Sequence, residues 1–163
     1  MAGSIYCLGP LTLFVMAWLL TRAPGYAFAA GVFYSLTASS RLFIPDGLFS
    51  PGHFWDARRF YLSAVWDETP HMAALAVLPL VILFLSLSIL KRRPVYYAAA
   101  TLAIAACSLA SDFGPVLAAM VSLCLLCVLR RQDFGRNLLL TAGIGLFSYA
   151  ICSPFLSRPT FTR

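Results

Sequence analysis

Charged side chains are scarce in this chain. Only 11% of its 163 residues are charged and six are acidic, whereas soluble domains carry about 25% charged residues. Hydrophobic residues make up 61% of the chain, and the mean hydropathy is +0.84. A soluble globule of this size could not bury so much apolar surface, which excludes a water-soluble enzyme. Disordered chains combine low hydrophobicity with high charge, so that class is excluded too, and a membrane protein remains.

The stretches of the chain that lack charged residues are long and apolar. A hydrocarbon core about 30 Å thick takes about 20 helical residues to cross, and barrel strands would alternate apolar with polar residues. The sequence therefore predicts an all-α, polytopic helical membrane protein that forms one integral membrane domain over residues 1–163. We expect about six transmembrane helices, near residues 5–21, 24–40, 71–90, 94–111, 115–129 and 137–156, with an outer loop at 41–70.

The distribution of basic residues predicts the orientation, because short cytoplasmic loops carry an excess of Lys and Arg. If residues 41–70 face away from the cytoplasm, the inner connectors hold a single acid, Asp133, and seven basic residues: Arg22, Lys91, Arg92, Arg93, Arg130, Arg131 and Arg136. We therefore expect a multi-pass protein of the cell membrane with its N-terminus outside. The formal charge of +6 then reflects hairpin connectors, so membrane lipid is the expected partner and nucleic acid is not.

Four of the six acids fall in the polar interval between Arg41 and Pro70. Ser50 before Pro51 is typical of a helix start, and the aromatic residues of 54–66 predict one interfacial amphipathic helix lying in the membrane plane. This helix has two interpretations. It either only anchors the protein, or its Arg58 and Arg59 bind a substrate phosphate, because guanidinium groups match phosphate oxygens.

Three ionisable residues, Asp67, Glu68 and His71, follow where the third span begins. They are the candidate catalytic residues, because a carboxylate can act as a general base and His71 can donate to a phosphate or carry a proton. Asp112 lies in a tight turn on the same predicted face and would complete the substrate site. No cofactor is expected, although a divalent cation on carboxylate oxygens is a candidate. In the alternative interpretation, these residues belong to a solvated loop, a helix start and a turn.

All five cysteines fall within predicted spans. Cys124 and Cys127 have the spacing of a zinc or redox pair, but no second pair of ligands accompanies them. We therefore expect the cysteines to act as small packing residues, with no disulfide framework.

Two segments resemble the central part of large bacterial multi-span glycosyltransferases of the C-type fold. The first reads Val-Phe-Tyr-Ser-Leu-Thr-Ala-Ser-Ser at 32–40. The second runs from Pro70-His71 to Leu78-Pro79-Leu80 and is followed by the basic turn Lys91-Arg92-Arg93-Pro94. The resemblance covers residues 27–130.

Membership of that family would imply sugar transfer from a polyprenyl-phosphate donor on the outer face. A key acid of the family lies in the loop after its first span, whereas here the short turn at 22–24 has no acid. We therefore expect an internal, incomplete or inactive piece, in which the acids at 67–68 and His71 form at most part of the donor site. The alternatives are a non-catalytic subunit or scaffold of a larger membrane protein and, less favoured, a small transporter, since the spans hold no charged residue.

Overall fold

The computed structural model of the chain describes residues 2–36, 69–129 and 133–155. Every regular element in these three ranges is a helix, which confirms the predicted all-α class. In chain order they are α1 (Ala2–Thr21), α2 (Pro24–Leu36), α3 (Thr69–Lys91), α4 (Pro94–Ala110), α5 (Gly114–Val128), α6 (Phe134–Cys152) and a closing 3-10 turn (Ser153–Phe155). The loop 41–70, apart from its last two residues, and the expected interfacial helix at 54–66 lie outside the described residues.

Each of the six predicted spans coincides with a described helix, and the boundaries differ by a few residues. Helix α1 begins at Ala2 rather than at 5. Helix α6 ends at Cys152 rather than at 156, and it begins at Phe134 rather than at 137. The prediction started this helix after the last charge, Arg136. A charge raises the cost of entering lipid but does not stop a helix, so Arg136 continues the helix with an exposed side chain. Helix α3 likewise continues through Pro79.

Two helical segments are long and apolar enough to cross a membrane, Pro70–Lys91 and Phe134–Phe155. Three further apolar segments are shorter, namely Tyr6–Thr21, Pro94–Ala110 and Gly114–Val128. In the most apolar 18-residue stretch of the first long segment half of the residues are buried, whereas in that of the second segment 17% are. Length and composition thus support membrane association, and the second long segment is the more exposed of the two.

The chain divides into two compact units, Met1–Pro79 and Leu80–Arg163, with the boundary inside α3. In the first unit α1 packs on α2. The approach is close, because a Cβ added at Gly31 would stand 3.1 Å from the carbonyl oxygen of Pro10. The Tyr6 hydroxyl donates to the Ser35 carbonyl at 2.8 Å, and the buried Thr12 hydroxyl lies 2.6 Å from the Ala76 carbonyl of α3.

In the second unit α4 packs against both α5 and α6. Two contacts four residues apart join α4 to α6. The Ser148 hydroxyl donates to the Thr101 carbonyl at 3.0 Å, and the Cys152 thiol donates to the Ala105 carbonyl at 3.6 Å. Because both residue numbers increase together, α4 and α6 run parallel, with their N-termini at the same end of the unit.

Two helix connections share one backbone design. Arg22 after α1 has φ 59° and Arg92 after α3 has φ 53°, so both are left-handed. The Arg22 amide donates to the Trp18 carbonyl at 2.8 Å and the Arg92 amide to the Ser88 carbonyl at 3.2 Å. This is the left-handed cap that ends many helices. A proline then opens the next helix two residues later in both cases, where its missing amide costs nothing.

The connection between α4 and α5 depends on glycine instead. A Cβ on Gly114 would stand 2.0 Å from the carbonyl oxygen of Cys107. The Gly114 amide donates to the Ser111 carbonyl at 2.8 Å, and the Phe113 amide donates to the Ser111 hydroxyl at 3.3 Å. The tight turn predicted around Asp112 is therefore present, and only glycine fits at its end.

Candidate functional site

Most of the predicted outer site lies outside the described residues. Arg58 and Arg59, proposed to bind substrate phosphate, and Asp67 and Glu68, proposed as catalytic acids, all fall in the range 37–68. Their roles therefore stay predictions. The described part of the site comprises His71 and Asp112.

His71 lies in the first turn of α3, two residues after the helix begins at Thr69, and is half-buried. Asp112 is exposed in the turn between α4 and α5. Its position as a turn residue is as expected. His71 belongs to the first compact unit and Asp112 to the second. The carboxylate site expected from Asp112 together with Asp67 and Glu68 stays a prediction.

Within residues 2–36, 69–129 and 133–155, no three His, Cys, Asp or Glu side chains are grouped as metal ligands would be. The divalent cation considered from the sequence would use Asp67 and Glu68, which are not among those residues. Its binding is therefore neither supported nor opposed by the grouping of the described side chains.

The five cysteines are free thiols in two environments. Cys107 and Cys152 are buried, and their thiols donate to backbone carbonyls of Gly114 and Ala105, at 3.8 and 3.6 Å. These two are packing residues, as expected. Cys7 of α1 and both Cys124 and Cys127 of α5 are exposed. These three side chains therefore do not have the packing role that was expected of them.

A polar cluster at the N-terminal end of α6 was not anticipated from the sequence. Arg92 and Asp133 form an ion pair with 2.6 Å between nitrogen and oxygen, and their side chains are 20% and 43% exposed. The same Arg92 nitrogen lies 3.4 Å from Oδ1 of Asn137, which is 1% exposed. Arg92 thus joins the turn after α3 to the first turn of α6.

The sequence did contain a signal for this cluster, since Asp133 is the one acid among the seven basic residues of the predicted inner face. The ion pair neutralises Arg92. The neighbouring Lys91, Arg93 and Arg136 are exposed. The described surface at this end of the second unit therefore carries three exposed cations beside one neutralised arginine.

No protein-family model, curated protein or solved structure matches this chain. The resemblance to C-type glycosyltransferases is untested by these comparisons and stays a prediction from the quoted segments.

Proposed function

We propose that this chain is a six-span integral membrane protein that binds a polyprenyl-phosphate lipid on its outer face without transferring sugar by itself. The observation that carries the membrane part is the exposure of large apolar side chains. Tyr26 of α2, Val95 of α4, Val128 of α5 and Leu139 of α6 are each more than 70% exposed. Such side chains are stable against lipid, whereas in water their exposed apolar surface would carry the free-energy cost that burial normally removes.

The three shorter apolar segments require an explanation in this proposal. A helix of 15 residues, such as α5, rises about 22 Å, which is less than the core of about 30 Å. Local thinning of the bilayer and flanking residues that reach the interface accommodate such a mismatch. The left-handed turn after α1 places the exposed Arg22 at a helix end, where a basic side chain can extend to the headgroups.

The donor-binding part of the proposal rests on residue chemistry at the predicted outer face. Arg58 and Arg59 would hold the phosphate through paired N–H groups. His71, in the half-buried first turn of α3, could donate a further hydrogen bond. Asp67, Glu68 and Asp112 would orient a sugar hydroxyl, a role in which carboxylates accept hydrogen bonds.

Binding is proposed rather than catalysis because of the connection between α1 and α2. That connection consists of Arg22 and Ala23 only, and neither residue is acidic. The acid that the resembled family carries after its first span has no counterpart there. The carboxylates at 67 and 68 could serve as a general base, but the proposal does not require it.

The test is a binding titration on the purified full chain in lipid nanodiscs, with polyprenyl phosphate and a polyprenyl-phosphate sugar as ligands. Arg58→Ala should weaken both ligands, because it removes a charge-assisted bond to phosphate. Asp67→Ala should weaken only the sugar-bearing ligand. Arg163→Ala is the matched control for loss of one outer arginine. Equal binding by wild type and both site variants, or none by a folded wild type, would favour a scaffold subunit instead.

A further inference from the structure

An apolar groove of about 590 Å³ runs between α4 and α6 within the second unit. Its lining includes Tyr97, Thr101, Gly143, Phe147 and Ile151. The groove is open along one side. In a membrane, a lipid acyl chain is the apolar molecule that can enter it from that side. Pockets that bind small ligands have volumes of about 300–1,000 Å³ and are mostly apolar, and this groove falls in that range.

The length of the groove matches one leaflet. Its lining on α6 extends from Leu139 to Ile151, which is about 18 Å at the helical rise. Half of a hydrocarbon core is about 15 Å. One acyl chain lying along the groove would therefore reach from the headgroup region to the bilayer midplane.

One end of the groove is basic. Because α4 and α6 run parallel, Tyr97 and Leu139 lie near the N-termini of both helices. The exposed Arg93 immediately precedes α4, and the exposed Arg136 is in the first turn of α6. The contact of Arg92 with Asp133 and Asn137 holds these two helix starts together. The opposite end, at Ile151, is apolar.

The geometry points to a binding site for one anionic phospholipid of the inner leaflet, with an acyl chain in this groove and the phosphate at Arg93 and Arg136. Arginine forks match phosphate oxygens, and tyrosine at the headgroup level is typical of membrane interfaces. Basic clusters beside transmembrane helices favour anionic headgroups. The site depends on membrane insertion but uses none of the outer residues proposed to bind polyprenyl phosphate.

Gly143 offers a way to fill the groove without disturbing the fold. A Cβ at Gly143 meets nothing within 4 Å, and the same is true at Gly145, two residues further along α6. Gly143 lines the groove, whereas Gly145 is not among the lining residues. Gly143→Leu therefore blocks the acyl chain, and Gly145→Leu is its matched control.

The experiment measures lipid retention by native mass spectrometry of the full chain in detergent, titrated with phosphatidylglycerol, phosphatidylcholine or glycerol phosphate. The wild type should retain one phosphatidylglycerol about 30-fold more tightly than phosphatidylcholine, the preference expected from two surface arginines. Glycerol phosphate, which lacks an acyl chain, should not be retained.

The variants separate the two parts of the site. Arg93→Gln with Arg136→Gln should lower phosphatidylglycerol retention to the level of phosphatidylcholine, while Arg22→Gln leaves it unchanged. Gly143→Leu should abolish retention of both lipids at unchanged helical content, and Gly145→Leu should not. Equal retention of the two lipids by the wild type, or unchanged retention in Gly143→Leu, would overturn the proposal. Neither result would bear on polyprenyl-phosphate binding at Arg58.

Discussion

The two arginine turns have the same backbone and different surroundings. Arg22 and Arg92 are both left-handed, both close their helix with an amide-to-carbonyl bond, and both precede a proline by two residues. Arg22 is exposed, whereas Arg92 is 20% exposed and paired with Asp133, which lies 41 residues away in sequence. Local sequence thus determines the turn, and a distant acid determines what its arginine does.

The sequence around the two turns is also similar beyond the arginine. Leu20, Arg22, Pro24, Tyr26, Ala29 and Ala30 recur 70 residues later as Leu90, Arg92, Pro94, Tyr96, Ala99 and Ala100. The same string can therefore end one apolar helix and begin the next in both halves of the chain.

The third turn gives the largest expected effect, because its glycine lies directly against the carbonyl of Cys107 and leaves no room for a side chain. Gly114→Ala should lower the free energy of unfolding by about 3 kcal/mol, since its Cβ would overlap the Cys107 carbonyl and the backbone must move. Detergent-solubilised protein unfolded by SDS titration, followed by circular dichroism, measures this change.

Gly135→Ala is the matched control for Gly114→Ala, because a Cβ there meets nothing within 4 Å. It should be neutral or stabilising by about 0.5–1 kcal/mol, the usual gain of alanine over glycine in a helix. Equal loss of stability in both variants would contradict the close approach at Gly114.

The ion pair that distinguishes Arg92 from Arg22 gives the second-largest expected change in stability. Asp133→Ala should cost about 1.5 kcal/mol, because it leaves the mostly buried Arg92 unpaired. A double-mutant cycle with Arg92→Ala isolates the pairing energy. The same cycle with Arg22→Ala in place of Arg92→Ala should give no coupling, and coupling of equal size in the two cycles would show that the pair is not specific.

The first unit depends on a hydroxyl contact between α1 and α3. Thr12→Val should cost about 1 kcal/mol, because it removes the hydrogen bond to the Ala76 carbonyl. Thr101→Val is the control, since the Thr101 hydroxyl bonds the Tyr97 carbonyl within its own helix and should matter less. Similar melting temperatures for Thr12→Val and the wild type would exclude a stabilising role for this contact.

The smallest effect tests the shared backbone directly. Arg22→Gly relieves the left-handed strain but adds freedom to the unfolded chain, so its stability should stay within about 0.5 kcal/mol of wild type. Arg92→Gly should be less stable than Arg22→Gly by the pairing energy of Asp133. A lower melting temperature for Arg22→Gly than for Arg92→Gly would contradict the difference that we describe between the two turns.

Helix positions were predictable because charge, apolar run length and proline are local signals. Arg22 and Pro24 bracket the first connection, and Lys91 to Pro94 the second, where the structure has them. The ion pair of Arg92 was not predictable, because it joins residues 41 positions apart. The start of α6 was placed three residues late since a charge was taken as a helix boundary.

The candidate site was predictable only as residue types. Acids and arginines gathered in one polar interval indicate chemistry at a membrane face, but spacing along a loop does not determine which side chains meet. The structure locates His71 in α3 and Asp112 in a turn. The groove between α4 and α6 was not predictable, because it depends on the parallel packing of two helices that are distant in sequence.

The most direct test of six spans is reporter mapping of the connections in living cells. Green fluorescent protein, which fluoresces only in the cytoplasm, and alkaline phosphatase, active only outside, are fused in turn after Arg22, Asp46, Arg92, Asp112 and Gln132. We expect fluorescence after Arg22, Arg92 and Gln132, and phosphatase activity after Asp46 and Asp112. Reporter activities that do not alternate across α4 and α5, the two helices that flank Asp112, would contradict the account.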